Sequence, residues 1–243
     1  MKRVFIGVGH GGSDPGAVGI VKEADANLTI ALELKRILVE HDIVVGISRT
    51  VDEDDDINEE IREANAFAPD LAVEVHNNAG GGDGFEVFVQ TNQYAAKSRS
   101  CAEFIERRVK AIGQQSRGIK TNSFGWVRLV NAPSVLLEGF FVDSKDAYDF
   151  ETASKQKRLA RAYALGVLDY FDIHTESEDD DMTGEEIYMK LNEYLLGVPA
   201  PSWAKKELDE AIKMGITDGT NPCSLIPRYQ AAIMAKRAVE SVK

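Results

Sequence analysis

From Arg3 to Tyr170, short β-branched apolar runs alternate with longer stretches of helical spacing, and nothing else in the chain constrains its fold as strongly. RVFIGV (Arg3 to Val8) predicts a strand. Residues Asp25 to Glu40 carry Leu28, Ile30, Ala31, Leu34, Ile37 and Leu38, the spacing of one helix face. Ile43 to Ile47, Leu71 to Val75, Phe85 to Val89 and Val135 to Leu137 predict further strands. Asp56 to Ala66, Ala95 to Ile112 and Ser154 to Tyr170 predict helices, the first with Asp56 as N-cap and Glu59 at its third position. Strands alternating with helices imply an α/β fold: a mostly parallel twisted sheet flanked by helices.

The pattern stops at TESEDDD, Thr175 to Asp181, a like-charge block that reads as a solvated linker. Only helical patterns follow, over Glu185 to Leu196, Ser202 to Met214 and Arg228 to Val242. The expected organisation is an α/β domain over residues 1–173, an acidic linker over 174–182 and a small all-α domain over 183–243. A length of 243 residues suits one large and one small domain, and 44% hydrophobic residues supply a sizeable core.

Charge and cysteine content exclude several classes. A net charge of -12 argues against a general nucleic-acid binder, which needs clustered Lys and Arg to meet phosphates. Cys101 and Cys223 form no disulfide framework and are expected as buried free thiols. The N-terminus, MKRVFIGVGHGG, lacks the cleavage site of a secretory signal, and no apolar stretch approaches the roughly 20 residues of a membrane helix. The expectation is a chain made in the cytoplasm, with no membrane span.

Among the four histidines, His10, His41, His76 and His174, two share a context. His10 ends the first strand before Gly11-Gly12, and His76 ends LAVEV before Asn77-Asn78. Open α/β sheets bind ligands beyond the carboxyl ends of their strands, so these two imidazoles converge if their strands are neighbours. A catalytic zinc takes three protein ligands and leaves one position open. Two carboxylates are placed to contribute. Glu23 sits just before the first long helix, in the loop returning from His10. Glu138 closes the apolar run PSVLLEGF, where a bare charge is costly, and burial there suits a general acid and base near neutral pH. His41 and His174, at a helix end and in the linker, read as local or solvated residues.

Two motifs fail on context. GVGHGG (Gly7 to Gly12) matches GxGxxG, but Ser13-Asp14-Pro15-Gly16 follows where a dinucleotide site needs a helix to open at once. Asp52, Asp54, Asp56 and Glu63 have EF-hand spacing, but Ile57 occupies the position that needs glycine. A turn and helix cap is the simpler reading.

Taken together, GHGGSDPGAVG, Glu23 followed by Asn27-Leu28, Ser48-Arg49-Thr50, VEVHNNAG (Val73 to Gly80) and PSVLLEGFF (Pro133 to Phe141) resemble the Amidase_3 family of N-acetylmuramoyl-L-alanine amidases, over about residues 2 to 172. The resemblance implies a zinc amide hydrolase acting on peptidoglycan, of the phage endolysin or autolysin type. It implies one catalytic Zn2+ held by His10, Glu23 and His76, with Glu138 as the catalytic carboxylate. Asn78 falls where the family has a frequent polar residue and is a substrate-binding candidate; Arg49 falls at a recurrent arginine read as structural. One departure is that the glutamate strand continues Glu-Gly-Phe-Phe, where many members have Glu-Leu-Gly-Phe. PSWAKKELDEAIKMGITDGT followed by Arg228-Tyr229-Gln230-Ala231-Ala232 is similar to a single S-layer-homology-type repeat, with Pro227 where Thr is expected. That likeness implies a tail that binds a secondary cell-wall polymer, or one that self-associates into a homo-oligomer. Such an enzyme is expected to act at the bacterial wall after release. Two other readings stay open: a wall-binding protein with an inactive hydrolase domain, and a zinc peptidase or deacetylase with another substrate.

Overall fold

A computed structural model of the chain describes residues 1–173, 195, 199 and 204–214. The chain divides into two compact units, Met1–Glu176 and Ser177–Lys243. In the first, six strands form one sheet: β1 (Arg3–Val8), β2 (Val44–Ile47), β3 (Leu71–Asn78), β4 (Phe85–Val89), β5 (Ser116–Thr121) and β6 (Ser134–Phe141). Their spatial order is β2-β1-β3-β6-β4-β5. The pairs β1–β2, β1–β3, β3–β6 and β4–β5 are parallel, and β4 runs antiparallel to β6. The mostly parallel α/β sheet expected from the alternating pattern is therefore present, and the antiparallel β4–β6 pairing makes it mixed.

Helices cover both faces: α1 (Glu23–Glu40), α2 (Ile57–Phe67), α3 (Ala95–Ala111), α4 (Gly125–Leu129) and α5 (Ala153–Tyr170). Strand alternation assigns the faces. Val4, Ile6 and Val8 of β1, Leu71, Val73 and Val75 of β3, and Val135 and Leu137 of β6 join the core built with α1, α3 and α5. Phe5, Ala72 and Leu136 point the other way, against Ile61 and Ala64 of α2 and Trp126 and Val127 of α4. By the same alternation Glu74, His76 and Glu138 belong to this second, thinner layer.

Register then fixes which residues meet. Gly7 lies opposite Glu74, Glu74 opposite Leu136, and His76 opposite Glu138. Gly9, just past the end of β1, continues the row, its N–H donating to Val75 O at 3.1 Å. This segment of the chain presents glycine at both levels on this face. A Cβ on Gly9 would stand 2.2 Å from His76 Nε2, so only glycine leaves the imidazole its space.

Several details differ from the sequence reading. Helix α1 begins at Glu23, which is its first residue and not part of the preceding loop. Strands β3 and β6 run further than their apolar cores, and β5 and α4 were not expected. Asp56 caps α2 by accepting from Asn58 N and Glu59 N, as read. Its neighbours Asp52 and Asp54 hold the loop after His10, accepting from Gly12 N at 2.9 Å and from Ser13 N at 2.6 Å. The acidic run is thus a cap and a loop clamp. Cys101 is buried and free; Cys223 and His174 lie outside the described residues. His41 is the C-cap of α1.

The second unit is described over Ala204–Met214, with Leu195 and Pro199 besides, and α6 (Lys205–Lys213) falls within the expected Ser202 to Met214 helix. Apart from Leu195, the other two expected tail helices lie outside the described residues. No described helix is long and apolar enough to cross a membrane.

Candidate metal centre

Three elements deliver three side chains to one point beyond the ends of β1 and β3. His10, just past β1, has φ +63°, in the left-handed region that few non-glycine residues adopt, Asn, Asp and His most readily. Such strain persists only where the surroundings impose it, and it concentrates at functional sites. Here it turns the imidazole back toward α1. Glu23 opens α1 and is 4% exposed. His76 lies on β3, next to β1.

The carboxylate of Glu23 sits between the two rings. Its Oε1 is 3.3 Å from His10 Nε2 and 3.0 Å from His76 Nδ1, and it accepts Asn77 N–H at 3.1 Å. Its Oε2 accepts Ala17 N–H at 2.9 Å. Burial pushes this carboxyl up, but the two histidines overcome that effect and hold it far below the ordinary range. The imidazoles stand edge to face with centroids 4.9 Å apart. One ligand atom from each of His10, Glu23 and His76 lies within 4.8 Å of the others, a grouping found nowhere else among the described residues. Two imidazoles and a carboxylate converging with a side left open is a donor set that suits a catalytic zinc.

Each histidine has a second carboxylate behind it. His10 Nδ1 lies 2.8 Å from Asp14 Oδ2, and His76 Nε2 lies 3.3 Å from Glu74 Oε1. The Glu23 carboxylate is the largest influence on His10 and raises its pKa. Burial works to lower that of His76, but Glu23 and Glu74 raise it well above the imidazole norm.

A buried amide pair locks the frame. Asn27, one turn after Glu23 on α1, donates to Gly9 O at 2.9 Å and accepts from Asn77 Nδ2 at 2.7 Å. Arg49, 2% exposed, donates to Val8 O, Gly9 O, Ala24 O and Val51 O. It binds the end of β1 to the first turn of α1, the structural role read for it. Asn27, Asn77 and Asp14 entered the sequence reading only as motif residues without a role at the site, and Glu74 was given none either. The one signal available was spacing, with Asn27 at i+4 from Glu23 and Glu74 at i−2 from His76.

Glu138 faces the same region from β6, level with His76. Its Oε2 is buried and has no hydrogen-bond partner. Burial raises its pKa to about 7. It shares a cleft of about 200 Å³ with His76, Glu74, Ile57, Phe124, Gly125, Trp126 and Leu136. A second cleft, of about 310 Å³, also reaches His76 and is lined by His10, Asp14, Asp55 and Glu60. Asn78 donates to Glu86 Oε1 at 2.9 Å. Glu86 also pairs with Arg117 at 2.8 Å and with Lys120. The side chain of Asn78 is therefore engaged within the protein.

Comparison with known proteins gives a consistent result. The family model described as N-acetylmuramoyl-L-alanine amidase, Amidase_3, matches residues 4–169. The chain is 34% identical over 181 residues to a sporulation-specific N-acetylmuramoyl-L-alanine amidase of Bacillus subtilis, covering 73% of this chain and 71% of that one. It is 32% identical over 185 residues to an endolysin of Bacillus phage SPP1, covering 72% of this chain and 68% of that one. Among solved structures it resembles the catalytic domain of CwlV, an N-acetylmuramoyl-L-alanine amidase from Bacillus (Paenibacillus) polymyxa. There the TM-score is 0.67 at 29% identity, over 72% of this chain and all of that one.

Proposed function

The chain belongs to the Amidase_3 family of N-acetylmuramoyl-L-alanine amidases, and from that premise we propose that it hydrolyses peptidoglycan with one zinc ion held by His10, Glu23 and His76 and with Glu138 as proton carrier. The observation that carries this reading is the shared oxygen, Glu23 Oε1, lying within 3.3 Å of His10 Nε2 and 3.0 Å of His76 Nδ1. When bound, zinc lowers the pKa of water and polarises a carbonyl as a Lewis acid.

The residues of the chain supply the rest. The scissile bond joins the lactyl carbonyl of N-acetylmuramic acid to the nitrogen of L-alanine. Glu138 takes a proton from the attacking water at its unpartnered Oε2 and returns it to the departing nitrogen. A carboxyl with a pKa near 7 serves both halves, since the best proton carrier titrates near the working pH. The products are a lactyl carboxylate and a free L-alanine amino terminus. No serine or cysteine nucleophile is required, and Asn78 remains a candidate for holding substrate.

Purified cell walls test the reading directly. The expected outcome is a loss of turbidity, new L-alanine amino termini and no new reducing sugar, abolished by chelator and restored by zinc. Reducing ends would mean glycosidase chemistry, and turnover unaffected by a strong chelator would remove the metal.

Residues 183–243 are proposed to anchor the enzyme to a secondary wall polymer, on the likeness of their sequence to a single wall-binding repeat. The SPP1 endolysin among its relatives fits a phage or prophage lysis setting, and the sporulation-specific amidase fits a bacterial one equally. The 243-residue chain carrying Glu138→Gln should sediment with intact walls and stay in solution once acid extraction has stripped the polymer. Equal sedimentation with both would sink the anchoring role.

A further inference from the structure

We propose that Glu74 is the positioning residue of the metal centre, holding His76 through Nε2 so that Nδ1 is presented beside Glu23. The inference rests on the reading of His10, Glu23 and His76 as zinc ligands.

Glu74 and His76 are two apart on β3 and so face the same side of the sheet. The imidazole is held between two carboxylates, with Nδ1 3.0 Å from Glu23 Oε1 and Nε2 3.3 Å from Glu74 Oε1. A histidine that gives one nitrogen to a metal carries its proton on the other, and the acceptor there fixes both tautomer and ring orientation. Glu74 is the acceptor placed to do so. Burial makes it a firm one, for its side chain is 1% exposed, against 67% for Asp14 behind His10.

Packing does not explain why a carboxylate stands there. Neither oxygen of Glu74 meets hydrogen-bond geometry; its polar neighbours are His76, at 3.3 Å, and the carboxyl of Glu60, and a buried charge so thinly supported opposes folding. Its neighbour Glu60 is already engaged, accepting Val8 N–H at 2.8 Å. The opposing strand is built to admit Glu74. A Cβ on Gly7 would stand 1.7 Å from Glu74 Oε2, so any other residue there would displace the carboxylate. Glycine weakens a strand interior and marks a close approach. On this face of the sheet, Gly7 makes room for Glu74 and Gly9 makes room for His76.

The test compares zinc affinity in the full chain and in its Glu74→Gln, Glu74→Leu and Gly7→Ala variants, by competition with a chromophoric chelator. Unfolding of each metal-free protein is followed in parallel. Glu74→Gln keeps the shape and a neutral acceptor, and is expected to bind zinc more weakly than wild type. Glu74→Leu has no acceptor and should fall further, by about 10–100-fold, the usual effect of losing a residue that supports a ligand. Gly7→Ala, which displaces the carboxylate without removing it, should also weaken binding. The metal-free Gln variant should unfold no earlier than wild type, because a buried charge has gone. Wild-type affinity in both Glu74 variants would overturn the positioning role, and so would variants that melt earlier while binding zinc normally, since Glu74 would then be a packing residue. A wild-type chain that takes up no zinc would overturn the metal centre itself and the role of Glu74 with it.

Discussion

Glu138→Gln is expected to cut turnover on cell walls by about 10²–10⁴-fold, the usual contribution of a positioned proton carrier, while one zinc per chain stays bound. The substitution preserves shape and removes only the ability to exchange a proton. The wild-type pH profile should point to the same group. Burial has raised the Glu138 carboxyl to about 7, and only its ionised form accepts a proton, so kcat/KM should fall as pH drops through that value. Stability should move the opposite way. The unfolded chain loses this proton near 4.5, whereas the folded chain keeps it up to about 7. Between those values ionisation increasingly favours unfolding, and above 7 the full penalty applies, roughly 3 kcal/mol from the shift. Metal-free Glu138→Gln should therefore match metal-free wild type near pH 4 and exceed it at pH 8, by up to that amount. A variant with near-normal turnover would remove Glu138 from the reaction. A variant less stable than wild type at pH 8 would show that the carboxylate is held by contacts other than those seen here.

The parts of this centre that were legible in the sequence are those set by strand periodicity. His10, His76 and Glu138 each terminate an apolar run, and adjacent parallel strands bring such ends together. The position of Glu23 was only half legible. Helix α1 shows its apolar spacing from Leu28 onward, but before that it buries Glu23 and Asn27, polar residues that a hydrophobic pattern does not register. Strand β5, SRGIKT, was invisible because it is a sheet edge, and edges carry charge and polarity that suppress the alternation. Helix α4 has five residues, too few for a period. Glu74 was hidden differently. In LAVEV it interrupts an otherwise apolar strand, and its meaning depends on Gly7, a residue of another strand brought opposite it only by register.

Removing a ligand should separate metal binding, which Glu138→Gln leaves intact, from proton transfer. His76→Ala and Glu23→Gln are each expected to abolish stoichiometric zinc, measured by elemental analysis after dialysis, together with turnover. Glu23→Gln is the sharper of the two because it is isosteric. The amide keeps an oxygen for Asn77 N–H, which donates to Glu23 Oε1 at 3.1 Å, but it no longer offers a charged donor between the imidazoles. Two histidines alone fall short of the three protein ligands a catalytic zinc takes. The loss of affinity should thus exceed the about 10–100-fold expected of a merely supporting residue, and added zinc should not restore activity. Folding should suffer too. The Glu23 carboxyl is held far below its ordinary range by the two histidines. A depressed carboxylate contributes stability above its unfolded pKa, near 4.5, and loses it as pH falls toward the folded value. The Gln variant lacks that contribution, so the deficit of the metal-free variant should be present at pH 6 and shrink in acid. Full zinc occupancy in Glu23→Gln at wild-type affinity would overturn this centre and place the ion outside the described residues, among which no other grouping of three such ligands exists.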